Sequence, residues 1–77
     1  MIASIQGRVA STTDGGAIIV VGGVGVEIFT SRLAGEQCRE GDTVFLDTRL
    51  IVREDSLTLY GFANQPEREV FDVLIKI

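Results

Sequence analysis

The sequence predicts an all-β fold, a small antiparallel barrel of five to six strands followed by a C-terminal α-helix, and three observations carry that expectation. Glycine is plentiful and proline scarce, 9 against 1 in 77 residues, a composition of tight turns between short strands. Short runs of apolar and β-branched residues keep a period of two up to residue 62. At 77 residues the chain is too short for a two-sheet sandwich, which needs nearer ~100. A closed barrel suits this length better.

Residues 2–9 mix Ile2, Ile5 and Val9 with Ser4, Gln6 and Arg8 and read as a first strand. The polar stretch from Ser11 to Gly16 reads as the turn after it. Ala17-Ile18-Ile19-Val20-Val21 is glycine-bounded, too short for a helix and suited to a buried strand. Gly22-Gly23 turns the chain, and Val24, Val26 and Ile28 then alternate with Gly25, Glu27 and Phe29, which makes a hairpin.

Residues 30–41 lose this periodicity and gather Arg32, Glu36, Arg39 and Glu40 around Leu33, the pattern of a loop with one helical turn and a solvated tip. Alternation returns over residues 43–52, with Val44, Leu46, Leu50 and Val52 on one face and Thr43, Phe45, Asp47, Arg49 and Ile51 on the other. Arg53-Glu54-Asp55-Ser56 interrupts it before Leu57 and Leu59 alternate with Thr58, Tyr60 and Phe62, so two long strands join at a charged tip.

At Asn64 the period changes. An N-cap side chain, a proline in the first turn and Glu67 three residues after the Asn mark a helix start. Val70, Phe71, Leu74 and Ile77 share an apolar face widened by Val73 and Ile75, while Arg68, Asp72 and Lys76 follow one another as i,i+4 partners on another. The expected organisation is a barrel over residues 1–63 and a closing helix over 64–77. The helix ends in mid-pattern, so the chain reads as part of a longer polypeptide.

A domain of this size buries only ~60% of its unfolded surface, so a covering neighbour is expected. Seven basic against eleven acidic residues leave a net charge of −4, the wrong sign for a freestanding module held to nucleic acid by counterion release. With His 0 and Cys 1, Ser-His and Cys-His catalysis and Cys/His metal sites are excluded, no intrachain disulfide can form, and a reducing, cytoplasmic setting is expected. Cys38 reads as a tolerated thiol. No cofactor is expected. No segment reaches the ~20 apolar residues of a membrane span, and neither export nor insertion is expected.

Gly22-Gly23-Val24-Gly25 is followed by a strand and not by a helix, so it reads as a barrel corner and not as a phosphate loop. The aromatics Phe29, Phe45, Tyr60, Phe62 and Phe71 lack the interleaved Lys and Arg of a single-strand binder, Arg49 alone lying near such a pattern, and suit the core or the helix contact. Glu54-Asp55 reads as a solvated turn that needs no purpose beyond solubility, and two adjacent acids without a third ligand make a poor Mg²⁺ site.

Five segments nevertheless occur in the order of one known family: Met1-Ile2-Ala3-Ser4-Ile5-Gln6-Gly7, Val21-Gly22-Gly23-Val24-Gly25-Val26-Glu27, Val52-Arg53-Glu54-Asp55-Ser56-Leu57, Leu59-Tyr60-Gly61-Phe62 and Glu67-Arg68-Glu69-Val70-Phe71. Across essentially its whole length the chain resembles the amino-terminal domain of the RuvA family. The resemblance implies an OB-like barrel from a bacterial, non-catalytic subunit that binds four-way DNA junctions as a homotetramer and loads the RuvB ATPase through a further domain. It also implies that Glu54 and Asp55 form an acidic pin at the junction centre, with Arg53 touching a phosphate or bracing the tip. Two alternatives stand beside it: a general OB-fold binder of single strands or oligosaccharide, and a purely structural oligomerisation module.

Overall fold

A computed structural model describes residues 2–76. Met1 and Ile77, the latter counted above on the apolar helix face, lie outside the described residues. Five strands close into a barrel in the order β1-β2-β3-β5-β4, with β4 pairing back onto β1. They are β1 (Ser4–Thr13), β2 (Gly16–Val21), β3 (Val24–Thr30), β4 (Thr43–Arg53) and β5 (Ser56–Phe62). Helix α1 (Arg32–Gln37) lies between β3 and β4 in sequence, and α2 (Gln65–Ile75) follows β5. The OB-like barrel followed by a helix is therefore observed. One pair departs from a wholly antiparallel sheet: β3 and β5 run parallel, Phe29 opposite Tyr60 and Thr30 opposite Gly61.

Closure depends on β1, which extends through the polar stretch that reads as a turn in the sequence. Residues 4–8 pair with β4 and residues 8–13 with β2, and a bulge at Ala10, between Val9 and Ser11, bends the strand from one partner to the other. The real turn is only Asp14-Gly15. Gly22 and Gly23 both hold positive φ, 57° and 84°, as a two-residue turn matched to strand twist requires. Gly16 serves a different need, since a Cβ there would run into the carbonyl oxygen of Ile28 on β3.

Val9, Ile19, Ile28 and Leu46 are fully buried at the barrel centre, joined by Ile5, Ala17, Val44 and Leu59. Thr48 shares that inward row and is also fully buried, its hydroxyl donating to the Ile2 carbonyl at 2.9 Å. The helical turn expected in the segment after β3 is α1, capped by the Ser31 hydroxyl, which accepts from Ala34 N at 3.1 Å. Ala34 and Cys38 from this segment are buried in the core, so Cys38 is a packing residue and not a bystander on a loop.

Helix α2 starts where its caps predict: the Asn64 side chain accepts from Glu67 N at 2.9 Å, and Pro66 lies in the first turn. The sequence leaves open which face meets the barrel. The face bearing Glu67, Arg68, Phe71 and Asp72 lies on the outer surface of β4 and β5, while Val70, Val73 and Leu74 are 60–63% exposed. Arg68 and Asp72, i,i+4 neighbours on that face, find their closer partners on β4, Asp47 and Arg49.

Gly16→Ala tests the close approach of β2 and β3. We expect a loss of about 3 kcal/mol, the upper end for overpacking, read as a lower urea midpoint at unchanged m-value.

Candidate functional site

The β4–β5 hairpin is the most prominent feature of the surface. Its ladder runs from Asp47 opposite Phe62 to Arg53 opposite Ser56. At the base, β1 pairs with β4 up to Asp47 and β3 pairs with β5 at Tyr60 and Gly61. The four rungs beyond, Leu50–Leu59, Ile51–Thr58, Val52–Leu57 and Arg53–Ser56, have no partner but each other. At about 3.3 Å per residue this two-stranded ribbon projects roughly 13 Å past the closed part of the barrel.

Alternation roots the ribbon. Leu59 is buried and Leu50 partly buried against the core, whereas Val52 and Leu57, two rungs further out on the same face, are 69% and 70% exposed. Glu54 and Asp55 form the two-residue turn with Arg53 and Ser56 as the last pair, and all four are exposed. Neither acid has positive φ, so ordinary side chains fit this turn without glycine. Among the described residues, no ion pair or side-chain hydrogen bond involves Arg53, Glu54 or Asp55. Both carboxylates thus stand at the end of a ribbon anchored in the core.

The residues that a single-strand groove would use are engaged elsewhere. Arg49 makes a bidentate pair with Asp72, Nε to Oδ1 at 2.8 Å and Nη2 to Oδ2 at 2.5 Å. The Arg49 hydrogen bond holds the Asp72 carboxyl below its ordinary range against an opposing effect of burial, with smaller help from Arg68 and Lys76. Arg68 donates to the Ala3 carbonyl at 2.8 Å and lies 3.8 Å from Asp47. Phe29, Tyr60, Phe71 and Phe62 form a chain of tilted ring contacts with centroids 5.0–6.1 Å apart. Phe45 stands apart from that chain and is 56% exposed.

No group of three metal-ligating side chains occurs among the described residues. A shallow cleft of about 380 Å³ opens between the β1–β2 turn and the start of α1, lined by Thr12, Thr13, Gly15, Ser31, Arg32 and Glu36. It shares no residue with the hairpin.

Sequence reasoning missed two connections. Glu67 accepts from Ser31 Oγ at 2.6 Å and from Ala63 N at 2.8 Å, tying the starts of α1 and α2 together. The other is the ionic contact between β4 and α2, for which a signal exists: Asp47 and Arg49 stand two apart on a strand face, Arg68 and Asp72 four apart on a helix face, and both spacings are about 6–7 Å.

The family profile described as RuvA N terminal domain matches residues 1–61. The chain belongs to the RuvA amino-terminal domain family. It is 46% identical over 74 residues to the Holliday junction branch migration complex subunit RuvA of Acidothermus cellulolyticus, covering 96% of this chain and 38% of that protein. The corresponding subunit of Micrococcus luteus is 47% identical over 75 residues, 97% of this chain and 35% of its own. That of Streptomyces coelicolor is 47% identical over 74 residues, 96% and 37% of the two chains. The chain thus spans little more than a third of the length of these RuvA relatives. No described helix is long and apolar enough to cross a membrane.

Burial pushes the Cys38 thiol up, so at neutral pH it stays protonated as well as sheltered. In the folded RuvA-type barrel it should react with a water-soluble disulfide reagent at least about 100-fold more slowly than in denaturant. Equal rates in the two conditions would show that the α1 segment opens freely.

Proposed function

We propose that this chain is the amino-terminal, non-catalytic domain of a RuvA subunit that binds four-way DNA junctions, and that Glu54 and Asp55 are its acidic pin. The observation that carries the reading is the projecting β4–β5 ribbon, with two unpaired carboxylates at its end. An acidic tip weakens attraction to DNA, so its use must lie in directing strands. Carboxylates set among phosphates at a crossover repel them, discouraging the strands from folding over the protein and turning them toward the exit arms.

Range supports this division of labour. The Debye length is about 8 Å at physiological salt, shorter than the roughly 13 Å projection of the ribbon. The tip charge therefore acts on whatever the tip touches and is largely screened from DNA held further out. Arg53, one residue back, is proposed to reach a phosphate beside the tip.

In the whole protein we assign the barrel, residues 1–63, to subunit contacts within a homotetramer. The helix over residues 64–77 leads toward a domain that grips junction phosphates. RuvB is engaged through a further C-terminal domain, and the setting is the bacterial cytoplasm. No cofactor is assigned. A general single-strand binder is less well supported, because Arg49 and four of the five aromatics are engaged in contacts within the domain.

The test is Glu54→Gln with Asp55→Asn in the full-length protein that carries this domain, which removes charge at nearly constant shape. Junction affinity at fixed salt should hold or rise by up to about tenfold, while strand separation at the crossover slows. A sharp fall in affinity with unaltered branch migration would overturn the electrostatic role.

A further inference from the structure

The contact between α2 and the barrel has an unusual composition. No residue of α2 is buried, and of its exposed apolar residues Val70, Val73 and Leu74 point away from the sheet. What meets β4 is charge: Arg68 against Asp47 and the Ala3 carbonyl, and Asp72 against Arg49. Phe71 alone supplies an aromatic contact, with centroids 5.1 Å from Tyr60 and 5.0 Å from Phe62. The start of the helix is held separately, by Glu67 on Ser31 and Ala63.

We propose that α2 is mounted on the barrel by a two-rung ionic zipper, Asp47–Arg68 and Arg49–Asp72, and detaches about its Glu67 end as a unit while the barrel stays folded. The zipper positions the helix. Asp47 and Arg49 lie on the strand that continues through Arg53 to the acidic tip, so the two rungs fix how the helix is set relative to the hairpin. The proposal stands on contacts within the chain and is independent of what the tip binds.

Three features support detachment as a unit. The Arg49 and Asp72 side chains keep 25% of their surface in water, and those of Arg68 and Asp47 keep 16% and 21%, so salt and water can reach both rungs. The barrel core contains no α2 residue, and its ladder closes without the helix. Cooperative units of differing stability are the expected result when one element shares little buried apolar surface with the rest.

The test is amide hydrogen exchange on the 77-residue chain, followed residue by residue. Arg49→Gln and Asp72→Asn should each speed exchange over residues 69–75 about tenfold, with Ile19, Ile28 and Leu46 within about twofold of the unsubstituted chain. The double variant should be no looser than either single one, as expected when two residues act through each other. The near-UV signal of Tyr60 should weaken in parallel as Phe71 leaves it. The unsubstituted chain should show the same selective loosening between about 0.05 and 1 M salt. Unchanged protection of α2, loss of helix and barrel together, or additive effects of the two substitutions would each overturn the proposal.

Discussion

Closure of the barrel by a single strand with two partners is the constraint from which the other features follow. β1 pairs with β4 along residues 4–8 and with β2 along residues 8–13, so the two ladders overlap only at Arg8 and the strand must curve to carry the sheet from one to the other. The bulge at Ala10 provides the bend. The same tight circuit draws β2 close to β3, so that Gly16 lies under the Ile28 carbonyl. In a chain this small, few residues are free of the demands of closure: the fully buried Val9, Ile19, Ile28, Leu46 and Thr48 come from four different strands.

Because β1 engages only the first part of β4, and β3 only the last part of β5, the distal rungs of the β4–β5 hairpin are outside the circuit by geometry. A free two-stranded ribbon is at best marginal in water. This one continues a ladder already fixed at Thr48–Gly61 and Arg49–Tyr60, and the barrel bears the cost of its alignment. Continuity of that ladder is what makes a charged two-residue turn into a directed feature.

Strand existence, the hairpin tips and the start of α2 were legible because each is set by local chemistry: period-two alternation, Gly22-Gly23 with positive φ, and Asn64 with Pro66 and Glu67. The acidic tip was legible for the same reason, as a break between two alternating runs. Three features were hidden because their cause is distant in sequence. Ser11, Thr12 and Thr13 look like a turn until β2 provides a partner for their backbone groups. Cys38 and Ala34 look solvated until α1 folds over the open end of the core. The parallel β3–β5 pair leaves no pattern of its own and follows only from closure.

The face that α2 turns to the barrel is the most instructive of the features the sequence left open. Periodicity identifies an amphipathic helix and cannot say which of its faces meets its own domain. Here the barrel's outer surface at β4 is polar, with Asp47 and Arg49, and only a helix face of matching charge could lie on it without stranding either residue. The two ion pairs keep only 16–25% of their side-chain surface in water, and desolvation offsets most of what such pairs gain, whereas burial of three aliphatic side chains would contribute ~1.5–3 kcal/mol apiece. A helix selected solely to stabilise this barrel would have turned Val70, Val73 and Leu74 inward against an apolar β4. That it does the opposite leaves Val70, Val73 and Leu74 exposed, so the contact of α2 with its own domain determines direction more than strength.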